Sequence, residues 1–283
     1  MSKNDNQKNS RFDGHEFKKS LGQNFISDIN LLSAIGEDSG VTENDFVVEV
    51  GAGAGTLTSI ISDRCKKMIS FEVDKSLEER LRIVEGSHPN LTVYFKDIME
   101  VDLNDLSKYF NESDEGFSYK VVANLPYYIT TPIIFKFLED AKRLKSLTIM
   151  VQKEVGERII AKPNSSEYGA LSAMVNFYGN AKITRIVKRQ NFYPMPKVDS
   201  CIVRIDIDNT KFNGVSSQAY KKIVRAAFNN RRKTLSHNLV HDLGLQKEKV
   251  NLAFQKLGLD EKIRGEALTS GQFVALINEL NIQ

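Results

Sequence analysis

The sequence predicts an α/β fold: a Rossmann-like, doubly wound and mostly parallel sheet, followed by a small C-terminal all-α domain. Three observations predict it. Apolar runs of strand length recur between segments of helical period, the pattern of βαβ units. A turn with glycine at alternate positions, Gly51-Ala52-Gly53-Ala54-Gly55, separates the first of these strands from a helix. After about Gly179 the alternation gives way to β-rich and then helical segments, which marks a change of architecture.

In chain order, Ile29 to Ile35 reads as a short amphipathic helix that Asp28 is placed to cap. Phe46 to Val50 is a strand, and the glycine turn leads into a helix near Leu57 to Ser62. A second strand, Met68 to Val73, is followed by a helix from Leu77 to Val84, and a third strand runs from Leu91 to Phe95. Val121 to Ala123 is a short fourth strand. Pro132 opens a helix that reaches about Leu138, at a position proline tolerates, and Leu147 to Val151 is a fifth strand. Ala181 to Val187 and Val198 to Ile207 are β-rich, separated by the proline-punctuated stretch Phe192 to Pro196. The helical signal then runs from about Val215 to the end, with breaks near Gly244, Gly258 and Gly265. The expected division is a flexible lead-in over 1–16, a large α/β domain over 17–208, a linker over 209–214 and a small helical domain over 215–283.

Composition bounds the function classes. A chain of 283 residues with 41% hydrophobic and 27% charged residues is that of a globular protein with a full core. No apolar run approaches the roughly 20 residues a membrane span needs, and Met1 to Ser10 lacks the apolar core of a signal peptide. Cys65 and Cys201 lie far apart and form no CxxC, so a reducing, cytoplasmic setting is expected. Net charge is only +3, yet between Val215 and Leu245 six basic residues face one acid, Asp242. These six are Lys221, Lys222, Arg225, Arg231, Arg232 and Lys233, a cluster suited to a phosphate backbone. His237 and His241 have the i, i+4 spacing of a zinc helix, but Asn238 stands where the glutamate belongs and no third ligand is evident, so no metal site is expected.

The glycine turn narrows the cofactor. A dinucleotide fingerprint needs glycine at its sixth position, where this chain has Thr56. Glycine at alternate positions is the form usual in class I S-adenosylmethionine-dependent methyltransferases, whose cofactor has no pyrophosphate to seat on a helix N-terminus. Glu72 ends the second strand about twenty residues later, where a carboxylate can accept both ribose hydroxyls. Asp97 follows the third strand, where an acceptor can meet the adenine amine. Asn124-Leu125-Pro126-Tyr127 follows the fourth strand. An adenine amine is a poor nucleophile because its lone pair is delocalised. The Asn124 side-chain oxygen and the Leu125 carbonyl offer two acceptors for its N–H groups, Pro126 stiffens the turn, and Tyr127 offers a stacking face for an extruded base.

These segments resemble the ribosomal RNA adenine N6,N6-dimethyltransferases, which comprise the KsgA-type small-subunit enzymes and the related erythromycin-resistance methylases. The resemblance runs from about Phe17 onward. Phe17-Lys18-Lys19-Ser20-Leu21-Gly22-Gln23-Asn24-Phe25-Ile26 is similar to the family's N-terminal cofactor motif, which implies that Asn24 and Ile26 contact S-adenosylmethionine with Gly51, Gly53, Glu72, Asp97 and Asn124. Ile26 stands where leucine is commoner. Asn191 to Ser200 is similar to the post-catalytic loop, which implies that Phe192 is a second aromatic against the target adenine. Ala227 to Leu235, and Leu125 as the second residue of its motif, resemble the small-subunit branch. The resemblance implies dimethylation of two adjacent adenosines in the hairpin loop near the 3′ end of 16S rRNA during small-subunit biogenesis, with S-adenosylhomocysteine as product. The expected partner is the small ribosomal subunit or its precursor, and the expected state a monomer. Two other readings stay open: a large-subunit (23S) rRNA adenine methylase conferring macrolide-type resistance, and a non-catalytic RNA-binding assembly factor.

Overall fold

The computed structural model describes residues 25–26, 28–212 and 214–283. The described elements are β1 (Phe25–Ile26), α1 (Ile29–Asp38), β2 (Phe46–Val50), α2 (Thr56–Ser62), β3 (Lys67–Glu72), α3 (Glu78–Ser87), β4 (Leu91–Phe95), α4 (Leu106–Tyr109), β5 (Tyr119–Asn124), α5 (Thr130–Asp140) and β6 (Leu144–Gln152). They continue with α6 (Lys153–Ile159), α7 (Ala170–Tyr178), β7 (Gly179–Val187), β8 (Phe192–Tyr193), β9 (Ser200–Ile207), α8 (Ser217–Asn229), α9 (Leu235–Leu243), α10 (Lys247–Leu257) and α11 (Ser270–Leu280).

Seven strands form one sheet in the order β4-β3-β2-β5-β6-β9-β7, and the five from β4 to β6 are parallel. The expected doubly wound sheet is therefore present. Its central strands are buried on both faces, as parallel strands covered by helices must be: Val47, Val48, Met68, Ile69 and Val121 are fully buried. Asp28 caps α1 as expected, accepting from the N–H groups of Asn30 and Leu31, and that helix runs on to Asp38.

Several elements differ from the sequence reading. The fifth strand extends from Leu144 to Gln152, because Leu144 and Ser146 add pairs to β5. Pro132 is the third residue of α5 rather than its first. It is still tolerated, because an N–H in the first turn has no intrahelical partner to lose. Helices α6 and α7, and the two-residue pair β1–β8, were not expected. Among the aromatics, Phe137 is fully buried, while Tyr94, Phe95 and Phe135 are half-buried.

By packing, the chain divides into two compact units, one of residues up to Lys153 with Ile183–Arg204, the other of Glu154–Lys182 with Ile205–Gln283. Residues 154–182 thus pack with the C-terminal helices although they precede them by some way in the chain. Phe177 of α7 explains this: its ring stacks on Tyr220 of α8 at 4.0 Å and on Phe212 at 5.6 Å. The Tyr220 hydroxyl donates to the carbonyl of Ala173, and that of Tyr168 to the carbonyl of Leu268. Helices α9 and α10 end on left-handed Gly244 and Gly258, two of the three expected breaks.

Beneath the glycine turn lies a buried acid. Glu49 of β2 has one oxygen, Oε2, that accepts from Thr58 Oγ1 of α2 at 2.7 Å and from Ser70 Oγ of β3 at 2.6 Å. The other oxygen has no hydrogen-bond partner among the described residues. Burial raises its pKa to about 7, against the two hydroxyl donors, which lower it; the charge of Glu72 raises it further. The unfolded chain releases this proton near 4.5 and the folded chain holds it until about 7. The stabilisation is therefore complete below the lower value and is lost as pH rises through the upper one, on the order of 3 kcal/mol in all. Glu49→Gln should flatten urea-unfolding stability across that window relative to the parent. Parallel stability curves for the two proteins would contradict the assignment.

Candidate active site

Four neighbouring parallel strands end on the same edge of the sheet, and each delivers one part of the site there. Gly51 follows β2, Glu72 closes β3, Asp97 follows β4 and Asn124 closes β5. Together they line a cavity of about 350 Å³, the size of a small-molecule or cofactor pocket. Ile26, Gly53, Leu125, Pro126 and Tyr127 line it too, so most residues singled out in the sequence converge on one space.

The glycine turn is fixed by its main chain. Gly51, Gly53 and Gly55 all have positive φ, at 77°, 55° and 79°. The Gly51 N–H donates to the carbonyl of Phe71 at 2.8 Å, and the Gly53 N–H to Glu72 Oε2 at 2.8 Å. Gly55 is required twice over: it caps α2 in the left-handed region, and a Cβ there would lie 2.9 Å from Val84 Cγ2.

Glu72 is buried, and its other oxygen, Oε1, accepts from the N–H groups of Val73 and Asp74, each at 2.8 Å. A carboxylate has about four lone-pair positions, so three backbone donors orient it and leave capacity for a further donor such as a ribose hydroxyl. Asp97 Oδ1 caps the 3₁₀ turn Ile98–Glu100 by accepting from Met99 N–H at 2.8 Å. Its side chain retains acceptor positions beside the cavity. A nucleoside-bearing cofactor fits this set: apolar walls from Ile26, Val50 and Ile98, with carboxylates at two separate points.

The turn after β5 is tightly held. The carbonyl of Pro126 accepts from Ile129 N–H at 3.2 Å and from Thr130 Oγ1 at 3.1 Å. Leu125 is buried. Tyr127 is half-buried, and its hydroxyl shares a 2.8 Å hydrogen bond with Ser200 Oγ of β9. Burial raises its phenol pKa, partly offset by that bond.

A model of the family described as "Ribosomal RNA adenine dimethylase" matches residues 14–281. The chain belongs to that family. It is 41% identical over 265 residues to the ribosomal RNA small subunit methyltransferase A of Clostridium acetobutylicum, covering 93% of this chain and 94% of that protein. The protein of the same name from Caldanaerobacter subterraneus is 44% identical over 264 residues, covering 93% and 97%. Among solved structures, a dimethyladenosine transferase from Plasmodium falciparum superposes with a TM-score of 0.76 at 25% identity, over 91% of this chain and 98% of that one. The 23S rRNA methyltransferase ErmE shares the fold, with a TM-score of 0.68 at 23% identity over 91% and 99%.

Within this family fold the remaining expected residues take varied positions. Asn24 lies outside the described residues. Ile26 is buried, lines the cavity, and pairs across the β1–β8 ladder with Phe192. Phe192 is itself 5% exposed and packs in the core beside Ile26 and Leu32, and is not among the residues lining the cavity. In the second unit, Lys222, Arg225, Arg232 and Lys233 are exposed and Lys221 is half-buried. Arg231 is engaged: its Nη2 donates to Glu266 Oε2 at 3.0 Å and to the carbonyl of Tyr168 at 2.9 Å. Sequence reasoning missed Glu49, which a motif reading passes over as one acid before a glycine turn, and Ser200, whose hydroxyl no spacing links to Tyr127.

Glu72→Gln places an amide NH₂ where one backbone N–H now finds an acceptor. S-adenosylhomocysteine affinity, measured by calorimetry, should fall at least tenfold and the melting temperature by a few degrees, as expected for an unpaired buried donor worth about 1–3 kcal/mol. Unchanged affinity would remove Glu72 from the cofactor site.

Proposed function

We propose that this protein dimethylates the N6 amines of two adjacent adenosines in the hairpin loop near the 3′ end of small-subunit rRNA, with S-adenosylmethionine as methyl donor. The observation that carries the reading is the Asn124-Leu125-Pro126-Tyr127 turn, which closes β5 on the wall of the same cavity that Glu72 and Asp97 line. The choice of RNA is supported by similarity over more than nine-tenths of the chain to relatives named for the small subunit.

S-adenosylmethionine, when bound, supplies an electrophilic methyl group on its sulfonium. Glu72 holds the ribose hydroxyls and Asp97 the adenine amine of that cofactor, with Ile26 and the glycine turn shaping its enclosure. The Asn124 side-chain oxygen and the Leu125 carbonyl accept the two N6 hydrogens of the target adenosine. That arrangement favours a pyramidal nitrogen with its lone pair free to attack, an effect of positioning and electrostatics. The proton released from the methylated amine passes to water, so no general base is needed. Tyr127, held by Ser200, walls the target site. Phe192 serves as the second aromatic only if its ring leaves the core when RNA binds. The helical segment supplies the phosphate contacts through Lys221, Lys222, Arg225, Arg232 and Lys233, with Arg231 partly committed to Glu266. The working setting is the reducing cytoplasm, in keeping with two buried cysteines outside any disulfide. No helix among the described residues is long and apolar enough to cross a membrane.

Labelled methyl transfer to unmethylated small and large subunits, with mapping of the labelled nucleotide, tests the reading. Label should appear on two adjacent adenosines of the small subunit; label in the large subunit, or in neither, would overturn it. Asn124→Ala should lower kcat by roughly a hundredfold or more while changing cofactor affinity little, and full activity would end its role. Charge reversal at Arg232 and Lys233 should weaken RNA binding and reduce the slope of log affinity against log salt by about one per lost phosphate contact. An unaltered slope would remove both from the interface.

A further inference from the structure

The cavity contains three aromatic side chains with different freedom to meet RNA. Phe71 is 1% exposed and belongs to the sheet. Tyr127 is half-buried and its hydroxyl is bound to Ser200 Oγ at 2.8 Å. Tyr128, the next residue, is 61% exposed while still lining the cavity. Its backbone is not loose. Tyr128 lies inside the turn closed by the Ile129 N–H to Pro126 carbonyl bond, immediately before α5. An exposed ring on a braced turn loses little conformational freedom on contact, which is what a stacking platform requires.

We propose that Tyr128 is the stacking platform for the adenosine beside the target, so that one adenosine of the pair occupies the cavity while the other rests on this ring at the rim. The inference deepens the function proposed above and rests on it. A target adenine placed against Asn124 has left its neighbours, and the adjacent base loses the stacking partner it had. That base emerges at the rim, where Tyr128 offers a replacement face. Val73, 51% exposed, and Lys96, exposed as well, line the same cavity at the ends of β3 and β4. A purine gives the larger face to stack on, which suits a substrate whose two targets are neighbours.

The test is equilibrium binding of a synthetic hairpin RNA carrying the two adjacent adenosines to the full chain loaded with S-adenosylhomocysteine, read by fluorescence anisotropy. Tyr128→Ala should raise Kd roughly tenfold, the equivalent of about 1.4 kcal/mol for one stacked base. Tyr128→Phe should restore affinity, since the face and not the hydroxyl is used. Replacing the neighbouring adenosine by an abasic nucleotide should cost the parent protein the same factor and cost Tyr128→Ala nothing more, the non-additive signature of one shared contact. S-adenosylhomocysteine affinity and melting temperature should not change. Additive losses, an unchanged Kd in Tyr128→Ala, no rescue by phenylalanine, or no binding by the parent would each overturn the proposal. Methyl transfer to small subunits by the parent is scored separately. Transfer with no Tyr128 effect sinks only the platform, whereas absence of transfer sinks the function on which it rests.

Discussion

Three backbone N–H groups converge on the carboxylate of Glu72, and the site is organised around that convergence. One oxygen holds Gly53 of the turn after β2, and the other holds Val73 and Asp74 of the turn after β3. Two loops that carry no regular structure are thereby locked to each other through one side chain. Main-chain donors cannot rotate away, so the carboxylate plane is set before any ligand arrives. Gly53 serves this constraint directly: its positive φ of 55° accompanies a backbone turn that presents its N–H to Glu72, while Gly51 and Gly55 donate to the carbonyls of Phe71 and Ala52.

The rest of the pocket is assembled from segments far apart in the chain that the sheet brings to one edge. Ile26 is held by pairing with Phe192, and Tyr127 by the hydroxyl of Ser200 on β9. Both anchors come from the stretch after Gly179, so the β-rich later part of the chain does more than complete the sheet. It braces the walls. Glu49 acts on the strand that leads into the glycine turn, drawing α2 and β3 to β2 through a single oxygen.

Much of this was legible in the residues alone, for reasons that differ by element. Strands β2 to β5 are apolar runs of strand length bounded by turn residues, and period and length suffice to find them. The strand-end positions of Gly51, Glu72, Asp97 and Asn124 follow once the strands are counted. Helix α6 was not legible, since Lys153 to Ile159 carries four charges and a glycine in seven residues. Helix α7 is apolar nearly all round, because Phe177 and its neighbours are enclosed by α8 and α11, and an all-round apolar run has no face to betray its period. The burial of Phe192 and the engagement of Arg231 depend on partners 166 and 35 residues away, Ile26 and Glu266, and no local pattern records such pairs. The motif names Tyr127 and the structure exposes Tyr128, a distinction of one residue that only side-chain environment can make.

The wall at Ile26, which β1 carries and β8 backs, has a consequence of its own. Among the described residues its ladder contains two residue pairs, whereas the ladders of β2 with β3 and with β5 contain five each. Hydrogen-bonded ladders resist local opening roughly in proportion to the bonds and apolar contacts that must be broken together. The pocket is therefore unequal in stiffness. The side that holds the glycine turn rests on the long ladders of the sheet, and the side at Ile26 rests on a short seam. In amide hydrogen exchange such a seam belongs to the early-exchanging part of the fold.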